Sequence, residues 1–179
     1  MFLDPHYSVL LPTGQVLCFT VHGQSGFSFN LISNKQMHMN ALFVQDPKRE
    51  EVTWIGSLGI VVTGMQYKQS NVTKLRFDAS GKKIYVGDKI TLLAQKIENL
   101  LFSKGKLSIT EFASKPEHPV VHVDLQDVGL SLTVRFKKFH LDIVWNKVNE
   151  QPKDSHGLIG KSCSYIYIYC LNCILTKCI

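Results

Sequence analysis

Apolar and polar residues alternate with a period of two along most of this 179-residue chain, and that pattern limits the fold more than any other feature. Side chains of a strand point to opposite faces in turn, so such runs place one face in a core and the other in water. The runs are Tyr7 to Leu11, Gln15 to His22, Phe27 to Ile32, Met37 to Val44, Thr73 to Asp78 and Lys82 to Val86. They continue with Lys89 to Ala94, Lys106 to Thr110, Pro119 to Leu125, Leu130 to Phe136 and Leu141 to Trp145. Between them stand turn formers: Pro12-Thr13-Gly14, Gln24-Ser25-Gly26, Asp46-Pro47, Ala79-Ser80-Gly81, Gly87-Asp88 and Lys104-Gly105. Turn signals recurring every eight to twelve residues or so predict an all-β fold, an antiparallel β-sandwich or barrel. Only Ile90 to Phe102 competes as a helix, through Leu93, Ile97, Leu100 and Leu101, so at most one short helix is expected.

Composition agrees with a packed domain. Hydrophobic residues make up 45% of the chain and charged residues 19%, which excludes disorder for most of its length. A formal net charge of +6 favours polyanionic neighbours without choosing among glycosaminoglycan, nucleic acid and acidic membrane surfaces. No stretch of about eighteen apolar residues is present to span a bilayer as a helix. Met1-Phe2-Leu3 leads directly into Asp4-Pro5 without a basic and then apolar leader, which predicts a fragment of a longer precursor.

Asp4-Pro5-His6-Tyr7 admits a covalent reading. The Asp4 carboxylate can attack its own main-chain carbonyl, forming a cyclic anhydride as the C–N bond to Pro5 breaks. Proline nitrogen carries no N–H, which closes the competing succinimide route. His6, with an ordinary pKa near 6.5, is placed in sequence to protonate the departing nitrogen as general acid. A sugar hydroxyl would then open the anhydride to an ester. Taken alone, the same dipeptide is an ordinary turn initiator.

Three further segments change its weight: Leu17-Cys18-Phe19, Gly56-Ser57-Leu58-Gly59-Ile60 and His156-Gly157-Leu158-Ile159-Gly160. With Asp4-Pro5-His6-Tyr7, their order and spacing resemble the C-terminal, propeptide-type region of an inter-alpha-trypsin inhibitor heavy chain. The resemblance implies that Asp4-Pro5 is a precursor cleavage point whose new Asp terminus is esterified to chondroitin sulfate. It also implies an extracellular setting in hyaluronan-rich matrix and a Kunitz-type light chain as the inhibitory partner in the family complex. Turnover catalysis, a cofactor, a metal and nucleic acid are not expected. His156, Gly157 and Gly160 are expected to form a structural turn like the Gly-Leu-Cys-Gly turn of von Willebrand factor D-type modules, which suggests the same sandwich fold. Cys18 is a disulfide half by resemblance; from the residues alone it is an inward-facing thiol. Tyr7 stands where the family has Phe, and Lys161-Ser162 where it has Gln-Phe. Residues 1–4 read as an upstream remnant, 5–161 as the β-domain and 162–179 as a divergent tail holding Cys163, Cys170, Cys173 and Cys178. A non-cleaving adhesion or assembly module of von Willebrand D type is the alternative, and an intracellular glycan- or nucleic-acid-binding β-domain ranks last.

The remaining candidates are weaker. Asn71-Val72-Thr73 is a glycosylation sequon if the chain is secreted. Asp154, Ser155 and His156 are consecutive, and triads gather separate segments, so no hydrolase is expected. His118, His122 and Asp124 share a strand face but fall short of a metal's ligand set, and are read as surface residues of an edge strand. Lys82-Lys83, Lys104-Lys106 and Arg135-Lys137-Lys138 could grip an acidic polysaccharide if folding brings them together.

Overall fold

The computed structural model describes residues 6–10, 16–20, 23–63, 72–92, 100–102, 105–110, 119–125, 128–148 and 155–158. Within them lie thirteen strands, eleven on the alternating runs and β5 and β9 besides: β1 His6–Leu10, β2 Val16–Thr20, β3 Ser28–Ser33, β4 Met37–Asp46, β5 Arg49–Thr63, β6 Val72–Asp78 and β7 Lys83–Val86, followed by β8 Lys89–Leu92, β9 Leu100–Phe102, β10 Gly105–Thr110, β11 Val120–Leu125, β12 Leu130–Phe136 and β13 Leu141–Val148. The protein is all-β and mostly antiparallel, and no strand-length helix lies among the described residues. Residues 90–92 and 100–102, weighed as helix, belong to β8 and β9; residues 93–99 lie outside the described residues.

Hydrogen bonding follows the order β8-β7-β6-β5-β13-β12-β11-β10-β9, with the β3–β4 hairpin on the other side of β5 and the β1–β2 hairpin on β13. One pairing departs from the antiparallel expectation. β1 runs parallel to β13, with Val9 opposite Trp145.

β5 organises the sheet. Its first half pairs with β4 and touches β13 through Ile55 opposite Leu141; its second half pairs with β4 and, from Ser57 to Thr63, with β6. The neighbour changes at Gly56, which is also the extra residue of a bulge, since Leu42 faces Ser57 while Phe43 faces Ile55. A bulge shifts the side-chain alternation by one residue, which lets Ile55 and Leu58 both enter the core. Gly56 is required there because a Cβ would collide with the Val44 side chain. A second bulge at Leu31 buries Leu31 and Ile32 together and turns Ser33 back to the opposite face.

Inward residues of both arms of the sheet form one cluster. Met39, Phe43, Leu58, Ile60, Phe77 and Ile84 from one arm join Val121, Leu132, Val134 and Phe136 from the other, all fully buried. Phe77 of β6 reaches Phe136 of β12 with ring centroids 6.5 Å apart, so these arms face each other across the core. Each fully buried side chain of this size contributes about 1.5–3 kcal/mol of burial.

Turn chemistry closes the hairpins. Gly87-Asp88 joins β7 to β8 with Gly87 at φ +61°, the left-handed backbone that two-residue hairpin loops require. At Asp46-Pro47 the Asp46 carboxylate accepts the Lys48 backbone N–H at 2.8 Å, holding the β4–β5 turn.

Candidate functional site

Of the residues singled out by sequence, Asp4, Pro5, Asn71, His118, Asp154, Gly160 and the tail cysteines lie outside the described residues. His6 opens β1 opposite Thr20, and Cys18 lies in β2 opposite Ser8, the two strands forming one antiparallel hairpin.

The segment Ser155–Leu158 is where the sequence motif meets the sheet. Ser33 and His156 exchange backbone hydrogen bonds, each N–H donating to the other's carbonyl at 2.8 Å, so the segment extends the sheet beyond β3. Gly157 follows at φ +99°, and a Cβ there would strike Asn30 Oδ1 and stand 2.8 Å from the Leu31 carbonyl oxygen. Only glycine fits that backbone and that space. Ser155 is buried and accepts a hydrogen bond from Asn34 Nδ2 at 3.4 Å, whereas His156 is exposed. Ser155 and His156 therefore lie on opposite sides of the segment, which does not suit nucleophile and base.

Next to this clasp lies a polar cluster. Asn30 Nδ2 donates to Ser33 Oγ at 2.6 Å and to Asn40 Oδ1 at 2.9 Å, and Ser33 Oγ lies 3.0 Å from His38 Nδ1. A serine beside a histidine invites a catalytic reading. Ser33, however, is 4% exposed and occupied by the Asn30 amide, so no substrate can approach its oxygen. Asn34 Oδ1 accepts the Gln36 and Met37 backbone N–H groups, closing the β3–β4 turn. The cluster's chemistry is that of a fastening between β3, β4 and residues 155–158.

Sequence reasoning missed a second network. Asp46 accepts Trp54 Nε1 at 3.0 Å and an Arg49 N–H at 2.9 Å. The Trp54 hydrogen bond, the Lys48 backbone N–H and Arg49 hold the Asp46 carboxyl far below the ordinary carboxylate range. Trp54 stacks on His140 with centroids 4.5 Å apart, and His140 Nε2 lies 3.3 Å from Asp142, which also meets Lys137 Nζ at 3.5 Å. Burial pushes the Asp142 carboxyl up, but the hydrogen bond from His140 and the charges of His140 and Lys137 outweigh it and leave the group low. The network ties the β4–β5 turn to the β12–β13 turn.

Asp46→Asn removes the charge that these donors favour. A carboxyl with a lowered folded pKa adds stability that is fully present above its unfolded pKa of about 3.9 and is lost as pH falls through the folded pKa. The variant is therefore expected to melt below the parent at neutral pH, with the gap closing below about pH 4. Thermal unfolding followed by circular dichroism across pH checks this, and a gap that persists in acid would assign the effect to packing.

His122, expected on an edge strand, sits on β11 between β10 and β12, and its Nδ1 lies 2.9 Å from Thr133 Oγ1. No group of three or more His, Cys, Asp or Glu side chains placed to hold a metal occurs among the described residues. No helix among them is long and apolar enough to cross a membrane. Arg135, Lys137 and Lys138 stand at the β12–β13 turn near Asp142, whereas Lys82 and Lys83 stand at the β6–β7 turn; residue 104 lies outside the described residues. Compared with protein-family models and with curated proteins, the chain matches none.

Proposed function

We propose that this chain is the C-terminal, propeptide-type β-domain of an extracellular protein resembling an inter-alpha-trypsin inhibitor heavy chain, with Asp4-Pro5 as the processing and ester-forming junction. One observation supports this reading above the others: His6, the candidate general acid, is held opposite Thr20 in the β1–β2 hairpin, one residue after the Asp4-Pro5 bond in sequence. Pairing with β2 anchors the residues that follow from His6 onward. The sandwich of von Willebrand D type implied by the resemblance is proposed with it, and the facing of Phe77 and Phe136 supports two packed layers. Hyaluronan-rich matrix, chondroitin sulfate and a Kunitz-type light chain would be partners of the whole precursor.

Expression of the chain with its natural upstream sequence through a secretory pathway, followed by intact-mass measurement, tests the proposal. Cleavage between Asp4 and Pro5 is expected. Asp4→Asn abolishes it, and His6→Ala slows it by about a hundredfold or more if His6 is the general acid. A full-length chain that persists intact would overturn the processing role in favour of a non-cleaving adhesion or assembly module.

A further inference from the structure

Among the described residues nothing requires glycine at Gly59, the second glycine of β5. Its φ is not positive, and among the described residues a Cβ there would meet only the Asn40 carbonyl oxygen at 3.9 Å, an ordinary contact. Gly56, three residues earlier, is explained by Val44; Gly59 is not. Glycine inside a strand weakens it, and where it serves no bulge or bend it leaves the backbone open to close approach by a ligand or another chain.

The surroundings of Gly59 are polar and charged. Leu58 and Ile60 are buried, so position 59 opens on the outer face of the sheet, in a row that runs Asn30, Asn40, Gly59, Arg76, Tyr85 across five strands. Four strand spacings make this row roughly 19 Å long. On one side of the glycine, Asn40 gives its oxygen to Asn30 and keeps its Nδ2 as a surface donor. On the other, the Arg76 guanidinium lies 3.7 Å from the Tyr85 ring centroid. Stacking fixes the guanidinium plane and leaves its N–H edges for a planar anion, the bidentate geometry that carboxylate and sulfate accept. The flanking rows add Lys74 and Lys83 against one acid, Asp78, so the face is net basic. Half-buried Val61 and Ser57 and exposed Leu42 border the glycine and offer apolar contact and a hydroxyl.

We infer that the outer face of β4, β5, β6 and β7 is a non-covalent binding strip for an acidic polysaccharide, with a sugar ring lying flat on Gly59, its hydroxyls at Asn40 and its carboxylate or sulfate on Arg76. The strip stands on the sheet face alone and does not require processing at Asp4-Pro5. A bare backbone flanked by the Asn40 amide and a stacked arginine suits a flat, hydroxylated, anionic ring. The basic balance of the face selects acidic over neutral sugars.

The full chain is titrated calorimetrically with hyaluronan, chondroitin sulfate and heparin octasaccharides, with dextran as the neutral control. Binding to at least one acidic oligosaccharide is expected, weakened as salt is raised and absent for dextran. The three oligosaccharides separate a carboxylate-only requirement from a sulfate requirement. Gly59→Val is expected to leave the melting temperature equal or higher, since valine suits a strand, and to weaken binding by about tenfold or more by filling the trough. Arg76→Gln is expected to weaken it similarly, and Lys138→Ala, on a distant turn, to leave it unchanged. Failure to bind any acidic oligosaccharide would overturn the strip. So would binding insensitive to Gly59→Val, or retention only by single-stranded RNA or phosphatidylserine vesicles. A chain that binds but is not cleaved, or is cleaved but does not bind, separates this inference from the processing proposal.

Discussion

Truncating Phe77 to alanine is expected to destabilise the domain by about 3–5 kcal/mol, enough to unfold much of the population of a domain of ordinary stability. Phe77 is fully buried in β6, and its ring reaches Phe136 of β12 at 6.5 Å with planes inclined at 59°. Those strands stand on different arms of the sheet, separated along the hydrogen-bonded path by β5 and β13. Loss of the ring therefore opens a cavity where the arms meet, and the strands cannot collapse into it without disturbing the junction at Gly56. A double-mutant cycle with Phe136→Ala should show the two losses to be less than additive, with a coupling of about 0.5–1.5 kcal/mol for the aromatic contact. Urea unfolding of the parent, both single variants and the double variant measures this. Strictly additive losses would mean that the rings do not support each other across the core.

Much of this core was legible from alternation. Met37, Met39, Ala41 and Phe43 are buried while His38, Asn40 and Leu42 point outward, as a period of two demands. The same holds for Leu75 and Phe77 on β6 and for the buried Leu132, Val134 and Phe136 on β12. β5, the longest strand, was not legible, although it decides how the sheet is joined. Its two glycines, its Glu50-Glu51 start and the bulge at Gly56 break the alternation where partners change, so no single period runs through it. A residue whose role is to shift parity cannot be found by searching for constant parity. β9 was missed for another reason: three residues, Leu100, Leu101 and Phe102, fit a helical turn as well as a strand until β10 pairs with them.

The candidate sites divide in the same way. Motif reading found the His156-Gly157 segment, because glycine next to histidine is visible in the chain itself. It could not find that Asn30 and Ser33, more than a hundred residues earlier, complete the fastening, nor that Trp54 stacks on His140. Those contacts depend on register between strands far apart in sequence. The Gly59 row is the extreme case, since Asn30, Asn40, Arg76 and Tyr85 carry no motif and align only when five strands are paired.

Gly157→Ala is expected to release the 155–158 segment from β3. Its φ of +99° lies where residues with a Cβ are rarely found, which costs about 1–2 kcal/mol before any contact is counted. The added Cβ would also meet Asn30 Oδ1 and the Leu31 carbonyl oxygen. The second of these is backbone on the bulged strand, held by β4 and by the packing of Leu31 and Ile32, so it cannot yield cheaply. Together the two terms amount to about 2–4 kcal/mol, more than two reciprocal backbone hydrogen bonds at about 1 kcal/mol each can withstand. The segment should therefore detach before the domain unfolds. In native-state hydrogen exchange, the Ser33 and His156 amides, bonded to each other's carbonyls in the parent, are expected to lose protection, while Met39, Ile60 and Leu132 amides retain theirs. Uniform loss at all five would mean that the clasp and the core open as one unit; unchanged protection at Ser33 would mean that the strand edge holds the segment without its glycine.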